Sequence, residues 1–133
     1  MFEGRVEIYM PDAKYFSSAA AKHYSAAADY PEKMKAALKE MHRQVGDLEI
    51  RDGIAARGLL VRHLVMPGCT EESLAILDFI ASEISPNTYV NVMDQYRPAF
   101  RAHEFPQISR RITSAEYLRV VHHAEKLGLR ISD

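Results

Sequence analysis

Thiols are almost missing from this 133-residue chain: Cys69 is its one cysteine. No disulfide can close within one copy, and the chain alone cannot supply the thiolates of an iron–sulfur cluster. A lone unpaired cysteine fits a reducing compartment, so a cytoplasmic location is expected. A surplus of one charge is missing too. Seventeen Lys and Arg stand against eighteen Asp and Glu, a net charge of −1. That leaves no electrostatic footprint for nucleic acid or an anionic membrane, and neither partner is expected. No stretch approaches the roughly 20 apolar residues of a membrane span. The opening MFEGRVEIYMPD lacks the apolar run and small-residue cleavage site of a signal peptide.

Several catalytic patterns are also absent. There is no G-x-G-x-x-G, no phosphate-binding G-x-x-x-x-G-K-[ST], no G-x-S-x-G and no H-E-x-x-H. His122 and His123 are neighbours on a predicted helix, about 100° apart, and do not converge on one ligand. Structural or solvated roles are expected for these two and for His23, His42 and His103. Cys69 lies between a strand and a helix, where a thiolate is stabilised, but no base is identifiable for it. No repeat, linker or low-complexity segment interrupts residues 1–133, which read as a single domain.

Alternating elements are what the chain does contain. VEIYM (Val6–Met10) reads as a strand ended by Pro11. SSAAAKHYSAA is weakly helical. A firmer helix starts at Pro31, carries Met34, Leu38, Met41 and Val45 on one stripe, and stops at Gly46. Asp52-Gly53, between short β-prone runs, signals a hairpin. The strand RGLLVRHLVMPG (Arg57–Gly68) follows. A helix capped by Thr70 comes next, with Leu74, Leu77, Ile80 and Ile84 as its buried face. TYVNVM (Thr88–Met93) is the third strand. TSAE (Thr113–Glu116) is a capping box opening a last helix that carries Tyr117, Val120, Val121, Ala124 and Leu127. Gln95–Arg111 is a long irregular stretch of the kind that often serves function. The order β-α-hairpin-β-α-β-α predicts an α/β fold: about three parallel strands, right-handed crossovers, helices on one face and a small hairpin.

Arg62 and His63 interrupt the apolar run of RGLLVRHLVMPG. Side chains alternate along a strand. Leu60, Arg62, Leu64 and Met66 therefore share one face, and Leu59, Val61, His63 and Val65 share the other. In the third strand Val90 and Val92 suit helix packing, while Tyr89, Asn91 and Met93 turn the opposite way. Asp12 and Lys14 sit near the end of the first strand. Three strands can thus offer Asp12, Arg62 and Asn91 to one face, near the carboxyl ends where α/β sheets bind ligands. Arg62 could hold a carboxylate in bidentate fashion. Periodicity alone serves an Asp12–Arg62 ion pair within an ordinary core equally well.

Four segments together resemble one family: IYMPDAKY (Ile8–Tyr15), YPEKMKAALKEMHRQVGDL (Tyr30–Leu48), GIAARGLLVRHLVMPG (Gly53–Gly68) and EISPNTYVNVMDQYRPA (Glu83–Ala99). They are similar to radical S-adenosylmethionine proteins, in the branch of uncharacterised iron–sulfur proteins related to pyruvate formate-lyase activating enzyme. ISRRIT (Ile108–Thr113) and the last helix fit that branch as well. The resemblance implies the C-terminal half of a partial (β/α) barrel. It also implies a missing N-terminal half carrying the C-x-x-x-C-x-x-C of a [4Fe-4S] cluster, so the chain reads as a truncated gene product or one part of a split protein.

By the same resemblance, Asp12 and Lys14 match a D-x-K at a strand end, where the Asp lies beside the cofactor and a monovalent cation. Arg62 matches the strand arginine that contacts S-adenosylmethionine. Tyr96 falls where the true activases carry the His of Pro-Tyr-His, a departure that weighs against a glycyl-radical partner. The resemblance implies a protein or small-molecule radical substrate for the full-length protein. No cofactor is expected for the isolated chain.

Two other readings stand beside this one. A non-catalytic binding module would use the open sheet face and edges to assemble with copies of itself, since parallel sheets are normally covered on both faces. A receiver-like phosphoacceptor fits the length but lacks the paired acidic residues that hold Mg²⁺.

Overall fold

The computed structural model describes residues 7–14, 16, 30–95 and 111–131. The elements run β1 (Ile8–Tyr9), α1 (Tyr30–Val45), β2 (Glu49–Arg51), β3 (Ile54–Leu64), α2 (Thr70–Phe79), β4 (Tyr89–Met93), α3 (Ser114–Leu127) and β5 (Arg130–Ile131). A π-helical turn, Ile80–Ile84, continues α2. SSAAAKHYSAA and most of Gln95–Arg111 lie outside the described residues.

Four strands are parallel and lie in chain order, β1-β3-β4-β5. The expectation of about three parallel strands falls one short, because β5 is only two residues long and carries no readable alternation. β2 is antiparallel to the first part of β3. Asp52 and Gly53 both take positive φ between them, as the two-residue turn requires. Just past the hairpin β3 must pass very close to the end of α1. Gly58 makes that possible: a Cβ there would run into the Asp47 carbonyl oxygen and Leu48 Cα.

One sheet face carries the core. Leu59, Val61, Val65, Val90 and Val92 pack with Met34, Leu38 and Val45 of α1, Ile76, Leu77 and Phe79 of α2, and Val120 and Ala124 of α3. The three described helices therefore cover a single face. Of the predicted stripes, Met34, Leu38 and Val45 of α1 and Val120 and Ala124 of α3 are buried, while Met41, Tyr117, Val121 and Leu127 pack half-buried against the core. α2 follows expectation only in part: Leu77 and Ile80 are buried and Ile84 packs half-buried against the core, but Leu74 is half-buried and Ser73, Ile76 and Phe79 are buried as well. The reason is polar, since Ser73 is drawn inward to bond His63. Thr70 is also not the cap. It is the first helical residue, and Cys69 precedes it with no side-chain cap bond. At α3 the predicted capping box is present, Thr113 and Glu116 each satisfying the other's backbone N–H.

Candidate functional site

The register brings the predicted residues into one row. β1 pairs with β3 at a constant offset, Ile8 with Gly58 and Tyr9 with Leu59. The same offset of 50 residues carries past Pro11 to an isolated bridge between Asp12 and Arg62. On the other side of β3, Arg62 is the direct partner of Asn91. Asp12, Arg62 and Asn91 are thus consecutive across three strands, on the face opposite the core. No described helix packs on that face.

Arg62 answers the question its position raises. Its side chain is 44% exposed, so it is not a core residue. The Asp12–Arg62 ion pair does form, with Nη1 3.5 Å from Oδ1, but at an exposed position. Nη2 points at the Met93 thioether, 3.8 Å from Sδ. Together with Ala13, Lys14, Leu64 and Gln95, these three residues line a hollow of about 310 Å³ at the carboxyl ends of the strands. Two cations and one carboxylate at its wall give it a net positive character, which suits a ligand carrying a carboxylate or another anion. Asn91 belongs to the row but does not line the hollow. Tyr96 lies outside the described residues.

Backbone bonds hold the Asp12 segment in place. The Arg62 N–H donates to the Pro11 carbonyl and the Ala13 N–H to the Arg62 carbonyl, both at 2.8 Å. Behind the sheet, His63 Nδ1 lies 2.6 Å from the Ala13 carbonyl and Nε2 lies 2.7 Å from Ser73 Oγ. A carbonyl only accepts, so Nδ1 carries the hydrogen and Nε2 accepts from the Ser73 hydroxyl. Burial pushes the imidazole below its ordinary pKa, against the opposing pull of the Ala13 bond, which favours this neutral form. As the alternation predicts, His63 faces the helices while Arg62 faces the hollow. The chain Ser73–His63–Ala13 ties α2 to the segment that presents Asp12 and Lys14.

Met93 and Gln95 escaped the sequence reading as site residues. Met93 was placeable on the correct face, but a thioether reads as packing until its neighbour is known to be a guanidinium. Gln95 lies beyond the strand, where alternation says nothing. His42 bonds Asp47 at 2.8 Å and His123 bonds Asp78 at 2.7 Å, while His23 and His103 lie outside the described residues. Among the described residues no three His, Cys, Asp or Glu side chains gather as a metal ion would need. No described helix is long and apolar enough to cross a membrane.

The fold and hollow define a class: a parallel α/β sheet wound in one direction, with a polar, net-positive hollow at the carboxyl ends of its strands. The chain is 34% identical over 133 residues to an uncharacterised protein, MJ0674, of Methanocaldococcus jannaschii; the match takes in 97% of this chain and 34% of the relative. The chain thus spans about a third of the length of that curated relative. No protein-family model matches the chain. No solved structure matches it.

Proposed function

We propose that this chain is the C-terminal part of a radical S-adenosylmethionine iron–sulfur protein of the pyruvate formate-lyase activating enzyme type, and that its sheet is a section of a partial (β/α) barrel. The observation that carries the reading is the row Asp12–Arg62–Asn91 on the face that no described helix covers, next to a hollow at the carboxyl ends. Strand order supports the barrel. A doubly wound sheet reverses its direction at a switch point. The four parallel strands here run in chain order without reversal, and the described helices lie on one side. Such an arrangement supports a section of barrel wall, and barrels bind ligands at the carboxyl ends.

The residues fit one of the two implied groups. Arg62, nearly half exposed, would hold the carboxylate of S-adenosylmethionine, and Asp12 beside it the ammonium. When bound beside a reduced cluster, that cofactor supplies a radical for hydrogen abstraction. The cluster itself does not fit here: the one cysteine, Cys69, is buried at the start of α2. Its ligands belong to other polypeptide, and this chain contributes binding and orientation.

Titration of the ¹⁵N-labelled chain with S-adenosylmethionine tests the reading. Shifts are expected at Ala13, Arg62 and Met93, with affinity reduced at least tenfold in Arg62→Leu. Decarboxylated S-adenosylmethionine should bind both chains equally. If millimolar S-adenosylmethionine moves no resonance on this face, the reading fails.

A further inference from the structure

The hairpin reaches beyond the main sheet, and one of its edges has no strand partner among the described residues. β2 pairs with β3 along one side, and among the described residues no strand pairs with the other. All three β2 residues are exposed, with Ile50 47% exposed. The turn dictates which backbone groups face outward. Arg51 and Ile54 flank the two-residue turn and are direct partners, so their N–H and C=O groups point at each other. Ile50, one residue back, directs its N–H and C=O away from β3. Leu48, further back, already gives its carbonyl to the Arg130 guanidinium at 2.6 Å.

We propose that this edge pairs antiparallel with the same edge of a second copy of the chain, about a two-fold axis at Ile50. The tripeptide Glu49-Ile50-Arg51 is its own complement in that register. Ile50 meets the copy's Ile50 and exchanges two backbone hydrogen bonds with it. Glu49 faces the copy's Arg51, and Arg51 faces the copy's Glu49. Every other centring loses this match: an axis at Glu49 sets carboxylate against carboxylate, and an axis at Arg51 sets guanidinium against guanidinium. Parallel pairing in register does both. Opposed unlike charges favour a strand pair and like charges disfavour it. Within one copy Arg51 already reaches Glu49 at 3.1 Å, both side chains being well exposed. The ions therefore change partners at the interface without entering a buried site. Three residues a side make a small contact, so the association is weak and transient.

Cross-linking reads such a contact. Residues bonded opposite each other in an antiparallel pair have Cα atoms about 5.5 Å apart, inside the range of about 4.4–6.8 Å that a disulfide spans. In a Cys69→Ser background, Ile50→Cys should form a disulfide dimer under mild oxidation much faster than Ile54→Cys, which is more exposed but lies on the far strand of the hairpin. Adding either Glu49→Arg or Arg51→Glu should slow the Ile50→Cys cross-link at least tenfold. Combining the two should restore it to within threefold, because the swapped tripeptide is again self-complementary. Mixing the two singly altered chains should give the mixed dimer in preference to either homodimer. Circular dichroism checks that each variant is folded. Equal rates for the 50 and 54 positions, or single-charge variants that cross-link as fast as the parent, would overturn the proposal. So would a swapped pair that stays as slow as the single changes.

Discussion

The two faces of the one sheet obey different rules. On the helix side of β3, Leu59, Val61, His63 and Val65 are buried at 2% exposure or less. On the other side, one residue along each time, Leu60, Arg62 and Leu64 are half-buried or exposed. β4 repeats the contrast, with Val90 and Val92 buried and Tyr89, Asn91 and Met93 half-buried. The same backbone carries both sets, so the contrast lies in what each face meets. The helix side meets three apolar stripes and fills completely. The polar His63 and Ser73 are tolerated there because they bond each other and His63 also bonds the Ala13 carbonyl. The far side holds charges in contact with solvent and a hollow instead of a core. Stability and ligand chemistry are thus separated by one residue of register.

The helix side is most vulnerable at Val61, which is fully buried. Val61→Asp places an unpaired carboxylate in the fully buried helix-side core and should cost more than about 4 kcal/mol, enough to unfold a chain of this size. Urea denaturation followed by circular dichroism checks it; a folded variant would mean that the helix face is not the core.

His63→Leu sharpens the same boundary at a smaller scale. It leaves the Ser73 hydroxyl and the Ala13 carbonyl without their buried partner, and a loss of about 2–4 kcal/mol is expected. The native imidazole also predicts a pH dependence. Its folded pKa is depressed, so below the ordinary histidine range the unfolded chain binds the proton that the folded chain refuses. Stability should be fully present above about pH 6.5 and fall as the solution is acidified through the folded value. Melts at pH 7.5 and pH 5 measure the drop, and His63→Leu should lose that part of it.

Arg62→Leu is the smallest expected effect. An exposed ion pair stabilises little, so the change should cost under about 1 kcal/mol, although position 62 adjoins two of the most deeply buried residues of the fold. A loss of 3 kcal/mol or more would make Arg62 a structural partner and erase the distinction between the faces.

Much of this was legible because β3 and β4 are long enough to alternate. A charge in the middle of an apolar run pointed to Arg62, and parity then set it on one face with Asn91 and Asp12. The turn at Asp52-Gly53 and the box at Thr113–Glu116 were readable because each is set by a few local residues. Four features were not. β5 is too short to show a period. The buried face of α2 includes Ser73, which an apolar template skips, since its place depends on a histidine ten residues earlier. The helix starts after Cys69 with no side-chain signal. The exact register of Asp12 opposite Arg62, beyond their shared face, depends on a 50-residue offset that no local pattern encodes. Pro11 argued for the end of the strand, and pairing resumes just beyond it because only one donor is lost there.

That long offset bears on the order of events when the chain folds. The β2–β3 hairpin closes over two residues and belongs to the microsecond class of local steps. β4 joins β3 across 29 residues, Arg62 to Asn91, and β1 must find β3 across 50. The longest closure is rewarded by only two strand pairs and one isolated bridge. β1 is therefore the natural last arrival, guided home when Ala13 meets His63. A nascent or partly opened molecule would have its core and hairpin before it has a wall for the hollow, so recognition of a ligand there reports on the completed fold.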